Sequence, residues 1–148
     1  MAKPNPSPAA TLHLTRTFAA PREKVFRAWT DPEALKGWFG PVGYSTPSAE
    51  VDLRVGGHYR LGMRKLPDGE IFYLTGAYRE VRPPEKLVYT WYWESEPELG
   101  ETLVTVEFRD LGNSSEVVVT HELFPTEKAR DDHDKGWNSC IDRLAQAL

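Results

Sequence analysis

The chain has 148 residues, 40% hydrophobic and 27% charged, with a net charge of -4. That length suits one domain with a real core, and those fractions sit near globular averages, so disorder is expected only at the ends. Charges interleaved in sign exclude a basic nucleic-acid grip, no apolar run reaches the ~20 residues that span a bilayer, and the lone Cys140 excludes an internal disulfide framework.

Residues 1–10, MAKPNPSPAA, carry three prolines and no periodicity. They read as a flexible leader without the apolar stretch of a secretory signal. A single domain over 11–148 in a reduced, cytoplasmic compartment is the expectation. Thr11 to Ala20 alternates, with Leu12, Leu14 and Phe18 on one side, and predicts a strand. Pro21 suits the start of a helix, where no backbone donor is needed, and Val25, Phe26 and Trp29 follow at helical spacing. Asp31 can cap a second short helix with Pro32 at its first position, Leu35 and Trp38 on its apolar side, and Gly40-Pro41 as its stop.

A series of alternating segments comes next. Ala49 to Val55 is read as a strand with Val51, Leu53 and Val55 on one face and Asp52 and Arg54, outside the fold's concave side, on the other. Gly56-Gly57 forms a turn or bulge into His58–Lys65, where Tyr59, Leu61 and Met63 alternate. Pro67-Asp68-Gly69 is a turn signal. Glu70–Val81 is a longer strand ended by Pro83-Pro84. Lys86–Glu94 sets Leu87, Tyr89, Trp91 and Trp93 against Val88, Thr90 and Tyr92. Thr102–Arg109 and Glu116–Phe124 complete the strands, the latter with His121 sharing the parity of Val117, Val119 and Leu123. From Thr126, read as an N-cap, to Leu148 the chain has no proline, and Ala129, His133, Trp137, Cys140 or Ile141, and Leu144 form one helical stripe. Strands joined by short turns with helices at the ends mean α+β.

Several of these segments resemble a known family. Phe26-Arg27-Ala28-Trp29-Thr30-Asp31-Pro32 followed by Trp38-Phe39-Gly40-Pro41, then Val51 to Gly57, Asp68-Gly69, Gly76, Val81 to Leu87 and Gly136-Trp137, look in that order like the domain named after the activator of the heat-shock-protein ATPase. The similarity covers roughly residues 11–148. It implies the START-like (helix-grip) fold: a curved antiparallel sheet of six or seven strands around a long C-terminal helix, two short helices after the first strand, and a cavity between sheet and helix. Binders, enzymes and co-chaperones all use this fold, so the resemblance implies no single activity.

No metal or cofactor signature is present. His13, His58, His121 and His133 are far apart in sequence, and there is no nucleophile elbow, phosphate loop or dinucleotide fingerprint. Gly56-Gly57 lacks a following helix and reads as a bulge, and Cys140 reads as a packed thiol. The aromatic residues carry more information. Strand parity puts Tyr89, Trp91 and Trp93 on one face, Tyr59 and Met63 can share it, and His133 and Trp137 look back from the helix. Gly136 inside the helix costs ~1 kcal/mol relative to Ala, which close approach of a strand or ligand would explain. His121 points inward, and no acid–base pair specifies a reaction.

The leading expectation is binding or sequestering of a small apolar or aromatic molecule in the cavity, lined by Tyr59, Tyr89, Trp91, His121, His133 and Trp137. The resemblance implies two alternatives. One is a co-chaperone that activates a heat-shock-protein ATPase, with a part in stress response. The other is an enzyme of the cyclase or dehydratase kind that uses His121 or His133 with a tyrosine. No cofactor, membrane or nucleic acid is expected as a partner, and monomer and homodimer both stay open.

Overall fold

The computed structural model describes residues 11–148, so the expected leader lies outside the described residues. Strand β1 (Leu12–Phe18) leads into helices α1 (Arg22–Thr30) and α2 (Pro32–Trp38). Five strands in a meander follow: β2 (Tyr44–Val51), β3 (His58–Lys65), β4 (Ile71–Arg82), β5 (Lys86–Trp93) and β6 (Thr102–Asp110). Then come β7 (Ser115–Glu122) and the long helix α3 (Glu127–Ala147). All pairings are antiparallel, in the order β1-β7-β6-β5-β4-β3-β2, so the first strand closes against the last. The sheet curls around α3, which is the α+β architecture expected, with seven strands.

The caps sit where the residue types put them. Asp31 accepts from the Glu33 N–H ahead of Pro32, and Thr126 accepts from the Ala129 N–H at the start of α3. Along α3 the buried positions are Ala129, Trp137, Cys140, Ile141 and Leu144, the predicted stripe apart from His133, which is half-buried. From this stripe Trp137 reaches Trp91 on β5 and His121 on β7, while Leu74, Leu87, Val104, Val106, Val117 and Val119 of the sheet are buried. Burying one such aliphatic side chain is worth about 1.5–3 kcal/mol.

Two expectations need correction. Val51, Leu53 and Val55 do not share a strand face: β2 runs Tyr44–Val51, and Leu53 and Val55 are 37% and 67% exposed. Beyond Val51 the backbone bonds to itself, Arg54 N–H to the Asp52 carbonyl and Gly57 N–H to the Arg54 carbonyl, while Gly56 takes a φ of +83°. A Cβ on Gly57 would run into the Asp52 carbonyl, whereas Gly56 has open space and favours glycine through its left-handed φ. Arg54 does lie outside, paired with Asp52 at 2.9 Å. Leu123 also breaks parity. Its φ of +74° turns it outward to 52% exposure, whereas His121 is fully buried with Val117 and Val119.

Candidate functional site

Between the N-terminal half of α3 and β3–β5 lies a cavity of about 490 Å³. Its walls include Phe39, Met63, Phe72, Trp91, Trp93, Ala129, Trp137 and Cys140, and exposed Ser95, Glu96, Glu98, Thr126, Lys128 and Asp132 also line it. Alternation along β5 sends Trp91 and Trp93 to the same face, and helical spacing brings His133 and Trp137 one turn apart opposite them. Trp91 and Trp137 approach to 5.3 Å between ring centroids. The chain after α2 completes one end, held by Arg143, whose Nη1 donates to the Gly40 carbonyl at 2.7 Å. Gly136 opens onto the cavity with nothing within 4 Å of a Cβ built there, so no strand packs against it.

Both inner imidazoles have committed hydrogen bonds. Trp137 Nε1 donates to His121 Nδ1 at 3.0 Å, which leaves the His121 proton on Nε2, 2.7 Å from Thr102 Oγ1. Thr102 in turn donates to the Trp91 carbonyl at 3.3 Å. Trp93 Nε1 donates to His133 Nε2 at 2.9 Å, so the His133 proton sits on Nδ1, 2.7 Å from the Ala129 carbonyl. A second proton on either ring would face an indole N–H, donor against donor. Burial pushes His121 well below its ordinary value, with His133 nearby adding to the shift. Burial also lowers His133, opposed in part by the bond to Ala129 and by Glu96 and Asp132. Both rings are therefore neutral at neutral pH.

The phenols lie deeper. Tyr59 donates to the Thr90 carbonyl at 2.5 Å, and the Tyr89 oxygen accepts from Trp29 Nε1 at 3.2 Å. Burial raises both phenol pKa values. They border a smaller void of about 20 Å³ together with Trp29, Leu74 and Tyr78. Phe39 and Trp91 border both spaces and so form the partition between them.

Of the six residues singled out from sequence, Trp91, His133 and Trp137 border the larger cavity. Tyr59 and Tyr89 border the smaller void with Trp91, and His121 borders neither. His121 instead fixes the Trp137 ring from behind. Trp93 belongs to the larger cavity and was legible from its parity with Trp91. Phe39 and Phe72 were not, because the chain around Phe39 has no repeat and Phe72 lies near the start of its strand. Burial pushes the Cys140 thiol up to about 11, in keeping with a packed side chain. Among the described residues, no group of three or more His, Cys, Asp or Glu is placed to hold a metal ion. No described helix is long and apolar enough to cross a membrane.

A seven-stranded antiparallel sheet closed around a long C-terminal helix, with two short helices after the first strand, defines a helix-grip protein. The sequence matches the model for activator of Hsp90 ATPase homologue 1-like proteins over residues 19–148, and the chain belongs to that family. No curated protein matches it closely enough to be counted. A crystal structure of a Chromobacterium violaceum protein is similar, at 29% identity over 93% of this chain and 96% of that one, with a TM-score of 0.83. An AHSA1 protein of Silicibacter pomeroyi shares 26% identity over 94% and 97% of the two chains, also with a TM-score of 0.83. An HSP90 activator from Plasmodium falciparum is less similar in shape, with a TM-score of 0.60 at 29% identity over 78% of this chain and 74% of that one.

Proposed function

We propose that this protein binds or sequesters a small apolar or aromatic molecule between the concave sheet and α3. The observation that carries this reading is the 490 Å³ cavity, whose walls set the rings of Phe39, Tyr44, Phe72, Trp91, Trp93 and Trp137 beside Met63, Leu99, Ala129 and Cys140. Its volume falls within the ~300–1,000 Å³ of small-molecule sites, which combine apolar walls with a few polar groups. Acid–base catalysis has less support. It needs a ring nitrogen free to exchange a proton, and the nitrogens of His121 and His133 are engaged. A cytoplasmic setting suits the free, buried Cys140.

Native mass spectrometry of the protein purified from its own host tests the reading, together with titration of N-phenyl-1-naphthylamine followed by energy transfer from tryptophan. Expected results are a small organic adduct, or saturable one-to-one dye binding that Gly136→Leu abolishes by filling the open space at Gly136. No adduct, and dye binding absent or indifferent to Gly136→Leu, would refute it. A second reading, co-chaperone activation of a heat-shock-protein ATPase, is favoured by the family and by the likeness to the Plasmodium falciparum activator. Stimulation of such an ATPase that persists in Gly136→Leu would support that reading independently of the cavity.

A further inference from the structure

A buried indole N–H without an acceptor has lost its water and gained nothing in return, so folded proteins rarely leave one unpaired. The chain has five tryptophans. Trp29 donates to Tyr89, Trp38 to the Ala28 carbonyl, Trp93 to His133 and Trp137 to His121. Trp91 is 5% exposed, and its Nε1 is buried with no partner among the described residues. The exception is the one tryptophan that forms the partition between the two spaces.

Trp91 also differs in how it is held. The other four rings are tied by a polar contact, whereas its indole is kept by ring contacts alone, among them His121 at 4.9 Å and Trp93 at 5.6 Å. Its nitrogen is covered as the chain is folded. The ring borders about 490 Å³ of space on one side and 20 Å³ on the other, and a turn of the ring toward the larger space would present the nitrogen there.

We propose that the Trp91 N–H is the polar anchor of the cavity, donating to an uncharged acceptor oxygen, such as a ketone, ester or ether, on an aromatic or apolar molecule. This rests on the reading that the cavity holds a small molecule. The surroundings select for a neutral acceptor. The imidazole protons are already spent on Thr102 and Ala129, so neither ring competes with Trp91 as donor. Among the described residues no arginine lines the cavity, and the one lysine there, Lys128, is paired at the rim with Asp132 at 2.9 Å. Glu96 and Glu98 stand beside it without an ion pair among the described residues, so a carboxylate would meet negative charge at the mouth.

Acetophenone and α-methylstyrene, flat molecules of one shape that differ by C=O against C=CH₂, test the proposal by calorimetry on wild type and Trp91→Phe. Loss of the donor should weaken acetophenone about three- to ten-fold more than α-methylstyrene. Should Trp91→Phe fail to fold, nitrogen-15-labelled wild type suffices. Its Trp91 indole resonance, assigned through contacts to the His121 and Trp137 rings, should move downfield with acetophenone and not with α-methylstyrene. Equal weakening of the two probes, or a Trp91 resonance unmoved or already at a hydrogen-bonded position without ligand, overturns the anchor and leaves the cavity reading standing. Failure of both probes to bind wild type that still binds the dye overturns the anchor alone, and failure of the probes and the dye together overturns the cavity reading with it.

Discussion

The neutral, buried His121 makes stability depend on pH in a calculable way. In the unfolded chain its imidazole takes up a proton near pH ~6.5, whereas in the folded chain burial holds uptake to well below that. Through this window the unfolded state binds more protons, so the contribution is complete above ~6.5 and is lost as pH falls toward the folded value. For a group whose folded pKa lies below the window, moving from about pH 7.5 to pH 5.5 removes about 1.4 kcal/mol. His133, also lowered by burial, adds loss in the same direction. Urea unfolding of wild type and His121→Asn at both pH values isolates the His121 share. The variant keeps an oxygen near the position of Nδ1 for Trp137 but fills less space, and should lose about 1–3 kcal/mol at the higher pH. Its further loss on acidification should be smaller than that of wild type by about 1.4 kcal/mol. Parallel pH profiles would refute the neutral, doubly committed imidazole.

Gly76 lies opposite Tyr59, where an added Cβ would meet the Thr90 carbonyl and come within 2.6 Å of the Tyr59 ring. Gly76→Ala should therefore cost about 1–3 kcal/mol in urea unfolding, and an unchanged midpoint would contradict the close approach. Gly136→Ala should do the opposite and stabilise by up to ~1 kcal/mol, because the site is open and helical. A measured loss would mean that something occupies that space. Trp93→Phe removes the donor held against His133 Nε2, so a proton titration followed by NMR should show the His133 pKa rising toward its ordinary value. No rise would mean that burial alone sets it.

The sequence is most informative where local chemistry decides the outcome. Asp31 before Pro32, Thr126 before Ala129, and the alternation Leu87, Tyr89, Trp91 each act within a few residues, and each takes its expected place. Alternation misleads at Val51, Leu53 and Val55 because a pattern of apolar residues does not reveal that Gly56 and Gly57 turn the backbone onto itself first. The opening of β2 went unread because Pro47 and the register shift between Ser45 and Ser48 interrupt its pattern. At the site, parity tells which face a side chain takes but not how far along a curved sheet it stands. Tyr59 and Tyr89 thus share a face with Trp91 yet lie behind it, at the void beyond the partition. The commitment of both imidazoles to indole donors depends on contacts between α3 and the sheet that no spacing encodes.

The closure of β1 on β7 has a bearing on synthesis. Ser115, fully buried, donates to the Ala20 carbonyl 95 residues away, and every pair in β1 is with β7. The meander from β2 to β6 can zip up hairpin by hairpin as the chain emerges, but β1 has no strand to join until β7 has been made. At ~5–20 residues per second that is a wait of roughly 5–20 s. During it α1, with Phe26 and Trp29 destined for contact with Phe108, has neither its neighbouring strand nor the finished sheet to cover it. The emergence of the seventh strand, not the folding of the N-terminal segment itself, sets the moment when those rings leave water.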